Sequence, residues 1–340
     1  MKVYVESHGC TNNQGLGEDL KEGLLEAGLL LAERPEEADA VVLNTCTVKG
    51  RTERRMLRRI VELRESHGGS RVIVAGCMPT IQEKLIRSVS PDSPTFGTAQ
   101  YDRIPGCLGS GMGKVRGRGQ VFHRRGIGIV QVSTGCLGEC TYCVVRRVKG
   151  TLRSYSPDKI LGEIRNHRSR GAHEVWLTSQ DLASYGADGG NMRLPELLRA
   201  VLSEAGTMRI RLGMMNPDSL RPILPEILTI LGDDRIYRFA HLPIQSGSDR
   251  VLNSMRRKYT SDEWAEIVDE LRSNFPGLSI STDLIVGYPT ETPDDFDESV
   301  ELVSSLKPDM INLSRYEPRP GTELDCHSSL GGRSSGGAES

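Results

Sequence analysis

The sequence predicts an α/β protein built from two units, a Rossmann-like parallel-sheet domain followed by a partial (β/α)6 barrel. Short β-branched runs alternate with helical patterns along nearly the whole chain, which is typical of parallel strands joined by right-handed crossovers. The chain has 340 residues, and a single hydrophobic core usually stops growing at roughly 250–300 residues. We therefore expect two cores rather than one.

Three β-branched runs define the first unit, which we predict to span residues 1–107. The helical patterns between them place apolar residues such as Leu20 and Leu24 on one face, and Gly68 and Gly69 end the second pattern. The expected strands cover residues 2–6, 39–45 and 70–75, and the expected helices cover residues 18–32 and 52–66.

Residues 108–126 are rich in Gly and basic residues and have no hydrophobic period, so we predict a linker there. A second alternation begins at residue 127 and predicts a barrel over residues 127–323. Six β/α units rather than eight indicate a barrel that is partly open and able to admit a large substrate. Its strands are expected near residues 127–133, 174–179, 208–213, 238–242, 279–286 and 310–315. Its helices are expected near residues 157–169, 193–204, 219–231, 261–273 and 293–306.

Residues 324–340 are rich in Ser and Gly and contain almost no apolar side chains, so we predict a disordered tail. The composition of the whole chain is that of a globular protein, with 37% hydrophobic and 26% charged residues. No apolar run approaches the roughly 20 residues that span a bilayer, and the N-terminus lacks the apolar region of a signal peptide. We expect a cytoplasmic protein with no membrane partner.

Eight cysteines are more than packing requires in a chain of this size. A reducing compartment argues against a disulfide framework, which leaves metal ligation as the leading explanation. Free cysteines also serve as small buried apolar residues. We interpret Cys107 and Cys326 in that way.

Three of the cysteines follow predicted strands of the first unit. Cys10, Cys46 and Cys77 each stand where a strand gives way to its loop, at the carboxyl edge of the expected sheet. Open α/β sheets build their ligand sites at this edge. Each cysteine alone is more readily interpreted as structural, but their repeated placement predicts that they converge on one point.

Three more cysteines form a C-x-x-x-C-x-x-C run after the first barrel strand: Cys136, Cys140 and Cys143. Three thiolates at this spacing can hold three irons of a cubane and leave the fourth iron without a protein ligand. A structural zinc site would need a fourth ligand, and His123 lies upstream in the predicted linker. Dithiol redox chemistry from the last two cysteines alone is disfavoured by the barrel context and by the neighbouring first cysteine.

The cysteine run resembles the signature of radical-SAM enzymes, in which S-adenosylmethionine chelates the open iron. Tyr142 stands at the aromatic position of that signature, although it is equally suited to core packing. Other segments resemble the methylthiotransferase branch of these enzymes, and the resemblance covers residues 1–323. They are GC-x-x-N at residues 9–13, NTC at 44–46, GC at 76–77, HLPIQSGSDRVLNSMRRKYT at 241–260 and DLIVGYPTET at 283–292.

The resemblance implies two 4Fe-4S clusters, one on the barrel triad and one on the N-terminal triad. The first cluster would pass an electron from an external donor to S-adenosylmethionine, which splits into methionine and a 5'-deoxyadenosyl radical that abstracts hydrogen from the substrate. The second cluster would carry the sulfur that a second S-adenosylmethionine methylates. The product would bear a methylthio group.

The resemblance also suggests contacts to S-adenosylmethionine. Thr178, Ser179 and Gln180 follow the second barrel strand and are candidates for the methionine amino group, with Asn216 and Gln245 similar by position. Each is equally interpretable as a polar cap at a strand end. Gly287 lies in a segment that resembles the one lining the adenine, where glycine lets the backbone approach the base; the alternative is an ordinary turn after a strand.

The basic clusters at residues 51–59, 114–125 and 146–153 attract phosphates, but alone they indicate RNA only weakly because the net charge is −2. RLGMMNP at residues 211–217 and GTLRSYSP at residues 150–157 resemble the archaeal and eukaryotic branch. That branch acts on threonylcarbamoyladenosine in tRNA next to the anticodon. The alternatives are isopentenyladenosine in tRNA, an aspartate of a ribosomal protein, or a non-catalytic iron-sulfur RNA-binding protein.

Two departures from the family pattern stand out. Lys149 replaces the usual arginine and keeps the charge without the planar fork that binds anions through two bonds. Relatives continue past the PRPGT segment into a small RNA-binding barrel called TRAM, whereas here the Ser/Gly-rich residues follow at once. We expect tRNA binding to rest on the two remaining domains, with or without a separate RNA-binding protein.

Overall fold

The computed structural model describes residues 1–47, 50–109 and 126–324. Most of the predicted linker, Cys326 and the predicted disordered tail beyond residue 324 lie outside these ranges. Within them, no helix is both long enough and apolar enough to cross a bilayer.

The described residues form parallel β-sheets flanked by α-helices, in the order that the sequence predicts. The strands are β1 Lys2–Ser7, β2 Leu30–Leu31, β3 Ala40–Thr45, β4 Val72–Gly76, β5 Thr95–Gly97, β6 Ile127–Gln131, β7 Ser133–Thr134, β8 Arg153–Ser154, β9 Glu174–Thr178, β10 Arg209–Leu212, β11 Phe239–His241, β12 Ser279–Val286 and β13 Met310–Arg315. The helices are α1 Thr11–Glu26, α2 Gly50–His67, α3 Cys77–Val89, α4 Ile104–Cys107, α5 Val145–Lys149, α6 Pro157–Ser169, α7 Leu194–Ala205, α8 Pro217–Leu220, α9 Leu224–Leu231, α10 Asp249–Ser254, α11 Ser261–Asn274 and α12 Pro293–Leu306.

The N-terminal unit is a five-stranded parallel sheet in the order β2-β1-β3-β4-β5. Every residue of β3 and β4 is buried, because helices cover both faces of the sheet. The Rossmann-like fold class is confirmed, but α1 begins at Thr11 rather than near residue 18. The first turns of α1 carry Asn12, Gly15 and Gly17 instead of an apolar stripe. No hydrophobic period therefore marks the start of this helix in the sequence. The short strands β2 and β5 and helix α3 are not in the sequence prediction.

The second unit is the expected partial barrel. Strands β6, β9 and β10 form one parallel sheet, and β11, β12 and β13 form another. Parallel bridges from Ile210 to Ile236 and from Met214 to His241 join the two sheets, so six parallel strands follow one another around an open barrel. The helix expected over residues 219–231 is divided into α8 and α9 by a 3-10 turn, since Pro222 and Pro225 interrupt the helical hydrogen bonding.

Helix α1 packs the N-terminal unit against the first barrel strand. Asn12 Nδ2 donates a hydrogen bond to Gln131 Oε1 over 3.1 Å, and Gln131 Nε2 donates one to Asp19 Oδ2 over 3.0 Å. A Cβ on Gly15 would lie 2.8 Å from a methyl carbon of Ile129, so α1 approaches β6 more closely than a larger residue permits. These contacts hold the carboxyl end of the N-terminal sheet next to the carboxyl end of the barrel.

Candidate functional site

A cavity of about 830 Å³ lies between the carboxyl end of the N-terminal sheet and the carboxyl end of the barrel. Both cysteine triads line it, although they belong to different units of the fold. The N-terminal triad is Cys10, Cys46 and Cys77, and the barrel triad is Cys136, Cys140 and Cys143. Both triads thus line one cavity, while the convergence of Cys10, Cys46 and Cys77 on one point stays a prediction.

The barrel triad lies on a tightly folded loop between β7 and α5. The backbone N–H of Gly138 donates a hydrogen bond to Cys136 Sγ over 3.2 Å. A Cβ on Gly138 would lie 3.3 Å from Cys136 Sγ and 3.6 Å from Cys140 Sγ, so both sulfurs flank this glycine. The N–H of Cys143 bonds the carbonyl of Cys140 over 3.1 Å. The loop thus turns back on itself and brings the three thiols to one wall of the cavity.

Arg257 is a component of this site that the sequence analysis did not identify. Its Nη1 donates a hydrogen bond to Cys140 Sγ over 3.2 Å, and its Nη2 donates one to Asn216 Oδ1 over 2.7 Å. Its Nε bonds the Tyr259 hydroxyl over 2.8 Å. Arg257 falls within the segment at residues 241–260 noted above, which was the available signal. Its contact to a cysteine more than a hundred positions away leaves no local pattern.

Burial sets the protonation preference of these thiols. Burial, together with a smaller contribution from the neighbouring Cys140, raises the pKa of Cys143 to about 12. Burial also raises the pKa of Cys136, while the hydrogen bond from Gly138 and the charge of Arg257 act in the opposite direction. Free thiols are thus favoured until a positive charge, such as that of iron, stabilises the thiolates.

The N-terminal triad combines two helix N-termini with one strand end. Cys10 is the N-cap of α1, Cys77 is the first residue of α3, and Cys46 follows β3 directly. Helix N-termini favour a negative charge, which suits thiolate ligands. Gly9 has a φ of +105°, and a Cβ there would lie 2.6 Å from Cys46 Cβ. Only a glycine lets the loops that carry Cys10 and Cys46 approach this closely.

Asn13 connects the three loops that carry this triad. Its Nδ2 donates to the His8 carbonyl over 2.6 Å and to the Thr45 carbonyl over 3.2 Å. Its Oδ1 lies 3.9 Å from Cys77 Sγ, which donates to it. The side chain is fully buried, so a single amide fixes the ends of β1 and β3 and the start of α3 relative to one another.

The charges around Cys77 link the two triads. Burial raises the pKa of this thiol to about 12; Lys149 lowers it, and the other two thiols of the triad, Cys46 and Cys10, raise it. Lys149 closes α5, the helix that follows the barrel triad, and it lines the same cavity as the N-terminal triad.

The donor set of the two triads is compatible with iron-sulfur clusters. In the described ranges, no three His, Cys, Asp or Glu side chains converge closely enough to hold one ion. A cubane needs no such convergence, because each thiolate binds its own iron at a separate corner. Each triad supplies three thiols on the cavity wall, and sulfur-directed donors from Gly138 and Arg257 are present. Such donors stabilise cluster thiolates.

Two family profiles match the chain. The profile of the radical SAM superfamily matches residues 130–303, and that of uncharacterized protein family UPF0004 matches residues 2–97. The barrel triad lies within the first match and the N-terminal triad within the second.

Relatives match nearly the whole chain. The probable threonylcarbamoyladenosine tRNA methylthiotransferase of Pyrococcus horikoshii is 38% identical, and the match covers 95% of this chain and 78% of that protein. The chain belongs to this family of radical SAM methylthiotransferases. The threonylcarbamoyladenosine tRNA methylthiotransferase of Drosophila melanogaster is 34% identical over 94% of this chain and 61% of its own length.

Solved structures support the fold of this methylthiotransferase. The radical S-adenosylmethionine methyltransferase TsrM from Kitasatospora setae superposes with a TM-score of 0.68 at 13% identity, covering 98% of this chain and 78% of that one. Its structure contains cobalamin and a 4Fe-4S cluster. At this identity the likeness concerns the fold alone. Membership of the superfamily makes an iron-sulfur cluster and S-adenosylmethionine the cofactors of the barrel.

Most of the residues predicted to contact S-adenosylmethionine line the cavity: Tyr142, Thr178, Ser179, Gln180, Asn216 and Gln245. The buried hydroxyl of Ser179 has no hydrogen-bond partner within the described part of the chain, as expected for a group that awaits a ligand. Gln180 Oε1 accepts a hydrogen bond from the N–H of Gly135 over 2.8 Å, so this side chain supports the cysteine loop.

Two of the predicted contacts have unexpected geometry. Gln245 has a φ of +74°, rare outside glycine, and this strained backbone sits on the cavity wall. Gly287 is exposed and does not line the cavity; its N–H bonds Glu291 Oε2 over 2.5 Å. The assignment of all these residues to S-adenosylmethionine, including the role of Gly287 beside the adenine, stays a prediction.

Proposed function

We propose that this chain attaches a methylthio group to threonylcarbamoyladenosine in tRNA. The observation that carries the proposal is that both cysteine triads open onto one cavity. A sulfur held on one triad and a substrate activated at the other can meet there only if the two sites share a space. The names of the relatives from Pyrococcus horikoshii and Drosophila melanogaster support the nucleoside substrate.

We propose that Cys136, Cys140 and Cys143 hold one 4Fe-4S cluster and that Cys10, Cys46 and Cys77 hold a second. When bound, the first cluster and S-adenosylmethionine supply a hydrogen-abstracting radical from one external electron, and the second cluster supplies the sulfur. In this scheme Arg257 balances negative charge at Cys140 through its hydrogen bond. Asn13 and Gly9 hold the N-terminal loops at the spacing that three thiolates on one cluster require.

The cavity also determines what can enter. Its volume of about 830 Å³ lies near the upper end of roughly 300–1,000 Å³ for ligand pockets, so it can hold a nucleoside beside a cofactor. A base within an anticodon stem-loop reaches such a pocket only when it leaves its stack. Apolar walls from Val144 and Leu177 exclude water from a reactive intermediate.

The test is anaerobic reconstitution with iron and sulfide, followed by reaction with tRNA that carries threonylcarbamoyladenosine. We expect about eight irons per chain, reductive cleavage of S-adenosylmethionine, and a methylthio nucleoside in the digested tRNA by mass spectrometry. Parallel reactions with tRNA that carries isopentenyladenosine and with ribosomal protein test the other substrates. Iron binding without cleavage of S-adenosylmethionine would show a non-catalytic scaffold instead.

A deletion strain provides the matching test in cells. Loss of the methylthio nucleoside from anticodon loops, and its return on complementation, would establish the substrate. An external one-electron donor is part of the proposal because S-adenosylmethionine must be cleaved reductively. A separate RNA-binding partner stays a prediction.

A further inference from the structure

Arg211 lies in the barrel interior, where the proposed reaction leaves it without a role. Its neighbours on β10, Ile210 and Leu212, are fully buried in the core on the other face of the strand. Because side chains alternate along a strand, Arg211 points to the opposite face, and it lines the cavity that both triads share.

Two aromatic rings hold this guanidinium in place. Arg211 Cζ lies 4.5 Å from the ring centroid of Phe239 and 5.1 Å from that of Trp176, which come from the strands on either side. Such contacts fix the plane of a guanidinium but do not use its N–H donors. The donors therefore stay available to a ligand within the cavity.

Arg211 has no hydrogen-bond or ion-pair partner anywhere in residues 1–47, 50–109 and 126–324. Among the other arginines that line the cavity, Arg257 has its donors occupied by Cys140, Asn216 and Tyr259, and the buried Arg319 pairs with Glu53 and Glu317. Burial lowers the pKa of Arg211, and only partial compensation comes from Glu174. A half-buried cation with free donors gains free energy from an anion that neutralises it.

We propose that Arg211 binds the carboxylate of the threonylcarbamoyl group and thereby selects the substrate nucleoside. Threonine attached to adenosine through its amino nitrogen keeps a free carboxylate, whose two oxygens match the forked donors of a guanidinium. An isopentenyl group carries no charge and would leave the guanidinium desolvated without a partner. The inference rests on the proposed function and assigns the residue that determines its specificity.

Two other anions present the same chemistry, namely the carboxylate of S-adenosylmethionine and a tRNA phosphate. The cation in contact with the barrel triad is Arg257, through Cys140. A phosphate of the tRNA backbone would have to enter the barrel interior to reach a residue held between Trp176 and Phe239. The threonylcarbamoyl carboxylate enters the cavity with the target nucleoside, and cleavage without RNA distinguishes its binding from that of the S-adenosylmethionine carboxylate.

The experiment compares anticodon stem-loops that carry threonylcarbamoyladenosine or its neutral primary amide. The wild-type enzyme, Arg211→Gln and Arg211→Lys are assayed for kcat/KM of methylthiolation, for binding by fluorescence anisotropy without turnover, and for S-adenosylmethionine cleavage without RNA. We expect the wild type to prefer the carboxylate roughly 10- to 100-fold, as a charge-assisted bond in a partly dry site implies. Arg211→Gln should lose this preference, Arg211→Lys should keep part of it, and cleavage without RNA should stay within about twofold.

Arg209 supplies the matched control. It lies two residues earlier on the same strand and is stacked on Tyr237 at 4.8 Å, but it does not line the cavity. Arg209→Gln should keep the wild-type preference. Equal use of both stem-loops by the wild type would overturn the inference. So would an equal loss on both substrates in Arg211→Gln, which indicates a phosphate contact, or loss of cleavage without RNA, which indicates the S-adenosylmethionine carboxylate.

The experiment distinguishes a failure of the proposed function from a failure of the role proposed for Arg211. A wild-type enzyme that modifies neither stem-loop would contradict the proposed function, and the anisotropy measurement would still test Arg211 by comparing the two affinities. A wild-type enzyme that modifies the stem-loops without distinguishing them would leave the proposed function standing and remove the role of Arg211.

Discussion

The Arg257 guanidinium donates a hydrogen bond to Cys140 Sγ over 3.2 Å, and its other terminal nitrogen bonds Asn216 Oδ1 over 2.7 Å. One side chain thus connects a proposed cluster ligand with a residue predicted to bind S-adenosylmethionine. A hydrogen bond from a cation stabilises negative charge on a thiolate. It therefore makes a cluster on this triad easier to reduce.

Arg257→Gln should make the barrel cluster harder to reduce without removing its three thiolates. We expect about four irons per barrel to remain, the reduction potential to fall, and S-adenosylmethionine cleavage to slow roughly 10- to 100-fold, as loss of one charge-assisted bond implies. Iron analysis, potentiometric titration followed by electron paramagnetic resonance, and 5'-deoxyadenosine formation measure these quantities. The control is Arg256→Gln, since Arg256 pairs with Glu323 at the surface. An unchanged potential in Arg257→Gln would contradict this role.

Removing one cysteine from each triad should show that the two triads serve different steps of the reaction. Cys140→Ala should abolish S-adenosylmethionine cleavage, because two thiolates do not hold the site-differentiated cluster. Cys46→Ala should leave cleavage intact and stop sulfur transfer. Chromatography of 5'-deoxyadenosine and mass spectrometry of the RNA product report the two steps. Full methylthiolation by Cys46→Ala would rule out the two-cluster scheme.

The elements that sequence predicts well are those with a strong local period. The six barrel strands and helices such as α6, α11 and α12 lie close to their expected positions, because short apolar strand runs alternate with helical patterns in this part of the sequence. Helix α3 is absent from the prediction because it begins at Cys77, which marks a ligand loop, and contains Pro79 in its first turn. Local patterns do not distinguish such a helix start from a turn.

The candidate site was predictable where its cysteines follow strands. Cys10, Cys46 and Cys77 could be assigned to one edge because each comes after a β-branched run. Arg211 and Arg257 could not be assigned functions in this way, since their partners come from distant strands or loops. A charged residue in a polar stretch has no period of its own, and its role exists only after the chain has folded.

Gly9 should be essential for the N-terminal cluster and dispensable for the barrel cluster. A methyl group at position 9 would lie 2.6 Å from Cys46 Cβ and 2.9 Å from Cys46 Sγ, at a φ of +105°. Gly9→Ala should therefore displace Cys46 and reduce the iron content from about eight to about four per chain. S-adenosylmethionine cleavage should persist and methylthiolation should be lost.

Gly28→Ala separates the steric effect at Gly9 from general backbone strain. Gly28 has a φ of +79°, but no atom lies within 4 Å of its added Cβ. The Gly28→Ala substitution should lower the free energy of unfolding by about 1 kcal/mol through the left-handed backbone alone. The variant should retain both clusters. Iron contents that fall equally in the two variants would show that the close approach to Cys46 is not what matters.

Asp19 is a titratable group at the contact between the two units, where it accepts a hydrogen bond from Gln131 Nε2. Burial raises its pKa from the ordinary value of 3.8 to about 8, and repulsion from Glu163 adds to the rise while Lys159 opposes it. The protonated carboxyl is therefore the form that the folded contact prefers. Its ionisation at higher pH costs the folded state free energy that the unfolded chain does not lose.

The contribution of Asp19 to stability should consequently decrease as the pH rises from about 4 to about 8, since only the unfolded state releases this proton in that window. One proton contributes at most about 1.4 kcal/mol per pH unit. Asp19→Asn keeps an acceptor for Gln131 without the charge. It should raise the free energy of unfolding by roughly 1–3 kcal/mol at pH 8 and have little effect near pH 4. Denaturant unfolding at several pH values measures this, with Asp269→Asn on the exposed face of α11 as the control. A stability gain that is the same at both ends of the pH range would mean that Asp19 does not titrate at this contact.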